Sequence, residues 1–223
     1  MRHFRHWTAW AALAIGITVA AIALPRLVAA LIATPHTGII DNYALNSALD
    51  NDRLKAAESA FARATGWYRS DDYLAKLGLV RLILAARAPN AEERDRLYAG
   101  AFDAFRAAIE VSPVNPRIWT WLAHAEQRHN GPSAAVAQYV AQSIYMGRYD
   151  SKLVVPRLIV AFQSWRFFSA EERHLVAAQI QLAWETKPEE LVSAARSETI
   201  RAIVREALGE IGQREAFDRL SRL

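Results

Sequence analysis

The chain has 223 residues, 52% hydrophobic and 22% charged, which excludes a disordered polymer and leaves room for a membrane segment plus one helical domain of ordinary size. It has no cysteine, which excludes disulfides, thiolate metal sites and cysteine nucleophiles. The formal charge of +4 gathers at the front, where Arg2, Arg5 and Arg26 precede the first acid, Asp41; setting those three aside leaves 24 basic against 23 acidic residues, so the body lacks the basic face that nucleic acid requires.

Residues 1–35 read as a transmembrane anchor. Eighteen uncharged residues run from Trp7 to Leu24, close to the roughly 20 that cross a bilayer helically. Pro25 and Arg26 interrupt the run and Leu27 to Ala33 resume it, so a kink and a snorkelling arginine are expected there. Trp7 and Trp10 lie where an aromatic belt forms, and Arg2 and Arg5 favour a cytoplasmic N-terminus with the body on the far side. Ala21-Ile22-Ala23 has the small-x-small form of a cleavage site, so a removed signal peptide is the alternative, and it exports the body as well.

From residue 36 to 223 the pattern is helical, with no sustained period-2 alternation. The expected helices are 42–50, 52–66, 71–87, 91–111, 116–129, 132–146, 151–167, 170–186 and 188–220, the last broken near Gly209 and Gly212. Asn90 with Glu93, and Ser169 with Glu172, have capping-box form. Asn115-Pro116 places a cap before a proline at the first helical position, and Gly66 and Gly147 suit helix ends.

A spacing repeats along these helices. Ala101, Phe105, Ala108 and Pro113 read A-x3-F-x2-A-x4-P. Ala57, Phe61 and Ala64 repeat its first part, and Ala135 and Tyr139 recur 34 residues after Ala101 and Phe105. Trp119-x2-Leu122-Ala123 opens one unit, and Leu74-x2-Leu77-Gly78 is a degenerate form of the same opening. This resembles the tetratricopeptide family over about residues 45–190. The resemblance implies an all-α protein, an N-terminal transmembrane helix followed by an α-solenoid of degenerate helix pairs, with Trp119, Phe105 and Tyr139 buried between them. It also implies that Arg117, Thr120, His124, Gln127 and Arg128 line the groove where such proteins hold peptides.

The stretch from Pro116 to Trp184 is further similar to accessory proteins of bacterial exopolysaccharide biosynthesis and export clusters. The similarity rests on Trp119-x2-Leu122, Ser143 before Gly147, Arg157, Trp165, and Arg173 before a final amphipathic helix. It implies a non-enzymatic scaffold, single-pass in the inner membrane with a periplasmic body, that holds envelope or inner-membrane proteins. An assembly factor of another membrane complex, for cytochrome maturation or secretion, shares this organisation.

No glycine-rich phosphate loop, G-x-S-x-G or H-E-x-x-H occurs, so no catalytic residue, cofactor or metal ligand is expected. His124 and His129 are five apart and do not stack on one helix face. The acid pairs Asp71-Asp72, Glu92-Glu93, Glu171-Glu172 and Glu189-Glu190 fall at helix starts, where they complement the dipole. A helical polysaccharide-processing enzyme is the rival of a different class, with Glu126 or Glu185 as its acid. The cluster Ser164 to Ser169 reads as a plug between helix pairs or a contact patch, and Ile200, Ile203, Val204, Leu208 and Ile211 as the apolar stripe of a closing helix.

Overall fold

The computed structural model describes residues 2–38 and 50–222. Among them every regular element is helical. The first helix, α1 (Arg2–Ala33), continues through Pro25 and ends in a 3-10 turn, Thr34–His36. Ten further helices follow among the described residues: α2 (Asn51–Trp67), α3 (Asp71–Ala86), α4 (Ala91–Val111), α5 (Pro116–Asn130), α6 (Ala134–Met146), α7 (Ser151–Gln163), α8 (Ala170–Thr186), α9 (Pro188–Ala194), α10 (Glu198–Leu208) and α11 (Ile211–Leu220).

The stretch Trp10–His36 is long and apolar enough to cross a membrane, with a mean hydropathy of 2.2. Trp7, Trp10 and the large aliphatics from Leu13 to Leu24 are exposed, so they find no protein core. The other end of α1 is docked. Ala29 and Ala33 are fully buried against Leu54, Ala57, Phe61 and Ala64 of α2, and the Arg26 guanidinium lies 4.9 Å from the Tyr68 ring centroid. Small residues on both helices permit this close approach. Arg26 meets the end of α2, so the two helices run antiparallel.

The expected starts of the body helices hold because their caps are built from side chains. Asp50, Asn115, Ser133, Asp150 and Ser197 each accept a backbone N–H from the first turn they precede. Ser169 and Glu172 form the full reciprocal capping box. Asn90 caps Glu93 N at 2.8 Å without the return bond, and the Glu93 carboxylate faces Arg96 instead. The expected helix over 42–50 falls, but for Asp50, outside the described residues.

Three expectations shift. The stretch 151–167 is cut at Ser164 and finishes as a 3-10 turn, Trp165–Phe167, because Ser164 N bonds both Val160 O and Ala161 O. The stretch 188–220 breaks at Ala195–Ser197 as well as at Gly209, whose φ of +70° is left-handed, while Gly212 lies within α11. Gly66 lies inside α2 and is no cap.

Helices α2 to α8 pack up and down, each against its neighbour in sequence, and α3, α5 and α6 also against the next but one. Arg69 pairs with Glu110 at 3.0 Å, joining the ends of α2 and α4, and Gly147 after α6 abuts Pro116 at the start of α5. The end of the body next to Arg26 is therefore formed by residues 67–70, 111–116 and 146–150. The opposite end holds 87–90, 130–133 and 164–169.

The repeat positions organise the core. Phe105 is fully buried over Gly78, where a Cβ would lie 2.7 Å from the ring, so the glycine of the degenerate opening is required by the aromatic of the next helix. Ala123 replaces that glycine in the following unit, and Tyr139, in the aromatic slot, is half-buried. Trp119 is likewise half-buried rather than enclosed. Its ring centroid lies 6.0 Å from that of Tyr139 and its indole N–H donates to Pro113 O at 2.7 Å, so it closes a loop as well as filling a gap. Phe168 of the aromatic cluster is buried in the core, flanked by Trp165, which fits the plug reading.

Candidate functional site

Helix α5 carries all five residues singled out above, and the structure separates them. Thr120, His124 and Gln127 stand four and three residues apart, on the face that meets α6 and α7. Thr120 is fully buried; its hydroxyl meets the Ser143 hydroxyl at 2.7 Å and the Pro116 carbonyl at 3.0 Å. Gln127 is buried and donates to Val160 O at 3.1 Å and Ser164 Oγ at 3.2 Å at the end of α7. Both therefore leave the groove: the Thr120 hydroxyl and the Gln127 amide nitrogen are bonded within the protein. Arg117 is exposed at the first turn of α5 and does not line the groove that His124 and Arg128 share. His124 and Arg128 remain together.

His124 Nε2 lies 3.2 Å from Pro156 O, so the neutral imidazole with hydrogen on Nε2 donates there. Burial lowers its pKa to about 4, the Pro156 bond opposes that, and the charge of Arg128 adds to the lowering. The ring is uncharged at neutral pH and its Nε2 is engaged.

His124 and Arg128 form one wall of a groove of about 670 Å³. Helix α7 supplies its floor through Val155, Ile159 and Phe162, and Ile200 of α10 continues the apolar surface. Glu190, Ser193 and Ala194 of α9 and Arg196 just beyond it form the far wall. Arg128 and Arg196 are exposed and make no ion pair among the described residues, whereas Glu190 is held by Lys187 at 2.9 Å. The groove is thus an apolar floor between two free guanidinium groups. Arg196 was missed in the sequence because it lies in the Ala195–Ser197 break, which read as continuous helix.

Behind the groove a second constellation emerges from residues noted only as a pattern. Arg157 of α7 is fully buried. Its Nε donates to Ser143 Oγ at 2.9 Å, one terminal nitrogen to Ser143 O at 2.8 Å and the other to Gln179 Oε1 at 3.0 Å. Gln179 in turn donates to Arg148 O, and Ser143 to Pro116 O. Burial lowers the Arg157 pKa to about 10, opposed by the charge of Asp150, so the cation persists at neutral pH. It faces the last carbonyls of α6, where the helix dipole is negative. Ser143, Gly147 and Arg157 are therefore one structural unit, a lock joining α5, α6, α7 and α8.

Neither carboxylate of the enzyme reading lines the groove. Glu126 is buried and accepts from Asn130 at 3.1 Å, and Glu185 is exposed on α8. Among the described residues no group of three or more His, Asp or Glu has metal-binding geometry. No family model, curated protein or solved structure matches the chain.

Proposed function

We propose that the chain is a membrane-tethered interaction scaffold, an α-solenoid of degenerate tetratricopeptide-like pairs that holds an acidic segment of an envelope or inner-membrane protein. The observation that carries this reading is the groove of α5, α7, α9 and α10, with its apolar floor between Arg128 and Arg196. An extended segment can lay apolar side chains on Ile159 and Ile200 while carboxylates meet the two guanidinium forks, which engage them bidentately. In this reading the body is periplasmic and serves exopolysaccharide biosynthesis or export, on the resemblance of residues 116–184.

A photo-crosslinking residue at Ile159, in the full chain in its native membrane, tests this directly. One partner segment rich in Asp and Glu is the expected adduct, lost in Arg128→Glu/Arg196→Glu and retained in Arg53→Glu, an exposed change on α2. Exposed charge reversals alter stability little, so the double variant should unfold as the parent does. Crosslinking at parental strength in the double variant would discard the groove.

A further inference from the structure

Outside α1, eight large hydrophobic side chains are exposed among the described residues: Ile159 lies in the groove floor and Ile211 starts α11, and the other six are not scattered. Trp67, Val111, Val114, Tyr145, Met146 and Tyr149 are exposed by 54, 43, 67, 75, 39 and 79% respectively. All six belong to the ends of α2, α4 and α6 or the turns that follow them, the end of the body to which α1 is docked. The opposite end, at 87–90, 130–133 and 164–169, carries no exposed large hydrophobic. Isolated apolar residues such as Ile159 and Ile211 need no explanation, but six of eight gathered at one end of the helical body do.

Helix α1 supplies the explanation. Its exposed segment from Trp7 to Leu24 is about 27 Å long at 1.5 Å per residue, close to the roughly 30 Å of a hydrocarbon core. That places Arg26 at the polar boundary, and Arg26 contacts Tyr68, next to Trp67. The loops around Trp67 therefore lie at headgroup depth once α1 spans. The loops 111–116 and 146–150 lie on the same end, tied there by the Arg69–Glu110 pair and the Gly147–Pro116 contact. The charges at this boundary are mixed but leave two free cations: Arg117 and Arg148 are exposed beside Val114 and Tyr149 with no ion pair among the described residues, while Glu110 and Asp72 are paired with Arg69 and Lys76, Asp150 caps α7, and Asp71 is half-buried.

We infer that this end of the body is a second membrane-contact surface, in which Val114, Met146 and Tyr149 enter the headgroup layer of an anionic bilayer while Arg117 and Arg148 meet lipid phosphates. The inference rests on α1 being a span. Aromatic side chains favour this layer because their rings are apolar and their polar edges stay hydrated, and arginine reaches phosphate from it. The stack then stands upright on the bilayer, held at two points rather than one.

The chain has no cysteine, so single cysteines label uniquely. Val114→Cys, Tyr149→Cys, Pro132→Cys at the opposite end and Leu13→Cys in α1 would each carry an environment-sensitive fluorophore. The full chain is reconstituted in nanodiscs of phosphatidylethanolamine and phosphatidylglycerol, with and without lipids spin-labelled near the headgroup and deep in the acyl chain. The expected result is loss of emission at 114 and 149 with the shallow quencher, loss at 13 with the deep one, and none at 132. Quenching at 13 with 114 and 149 behaving like 132 would overturn the contact surface and leave the anchor standing. An unquenched label at 13 would overturn both. Labels at 114 and 149 that are shielded from aqueous iodide yet untouched by either lipid quencher would mean that a second copy of the chain covers the surface, and would also overturn it.

Discussion

Arg157 is a fully buried cation whose hydrogen-bond partners are all neutral. Its stability depends on geometry: the planar fork reaches Ser143 and Gln179 at once, and a lysine cannot. Arg157→Ala should cost about 3–5 kcal/mol, because it opens a cavity and strands buried acceptors. Arg157→Lys should recover part of that loss, which denaturant unfolding of the full chain in detergent will measure. The sequence singled out Arg157, Ser143 and Gly147 without revealing why, since a hydrogen-bond lock among four helices leaves no periodic trace. His124 makes a second test. Its folded pKa of about 4 lies below the unfolded 6.5, so the unfolded chain takes up protons first as pH falls. Stability from this group is complete above pH 6.5 and is lost progressively toward pH 4, by about 2 kcal/mol at pH 5. His124→Gln should flatten the acid limb between pH 7 and 5 relative to the parent; parallel limbs would show that the ring is not buried neutral.

At the scale of helices, Gly78 and Phe105 show what the repeat spacing encodes. The ring occupies the volume a Cβ would need, so Gly78→Ala should cost about 1–3 kcal/mol through displacement of Phe105. Phe105→Leu in the same chain should relieve part of that cost; additive losses would place the two residues out of contact. Helix starts were legible because caps are local chemistry, and α4 and α8 begin and end at the expected residues. The break at Ala195–Ser197 was not. Ser197 caps Ile200 N without an acid three residues on, and the flanking alanines favour helix, so the signal that would mark the break was missing. The groove suffered in consequence, for Arg196 and Ile200 flank that break. The inward turn of Thr120 and Gln127 was equally hidden, because a polar residue bonded to hydroxyls and carbonyls inside the bundle looks like a solvated one in sequence.

For the molecule as a whole, the all-helical body and one apolar N-terminal helix were legible from periodicity and hydropathy alone. In the proposed anchored reading, the charges flanking α1 decide on which side of the membrane the body lies. Arg2 and Arg5 before the span should hold that end in the cytoplasm. Alkaline phosphatase joined after Leu223 should then be active and a cytosolic reporter at the same place silent; the reverse pattern would put the groove and its partner in the cytoplasm.

The docking of Ala29 and Ala33 onto α2, with Arg26 against Tyr68, has a mechanical consequence. A body hung on a flexible leash searches a hemisphere and meets partners at any height and angle. Here α1 passes straight into the core, so under the proposed reading, with α1 spanning, the body behaves as a mast with a fixed foot. The groove is then held at one elevation and rotates only about the membrane normal. Partners of the proposed groove that diffuse in the same plane and present their segment at that elevation would gain in effective concentration, while others would be out of reach however well their sequence fits. Selection by altitude would then precede selection by contact.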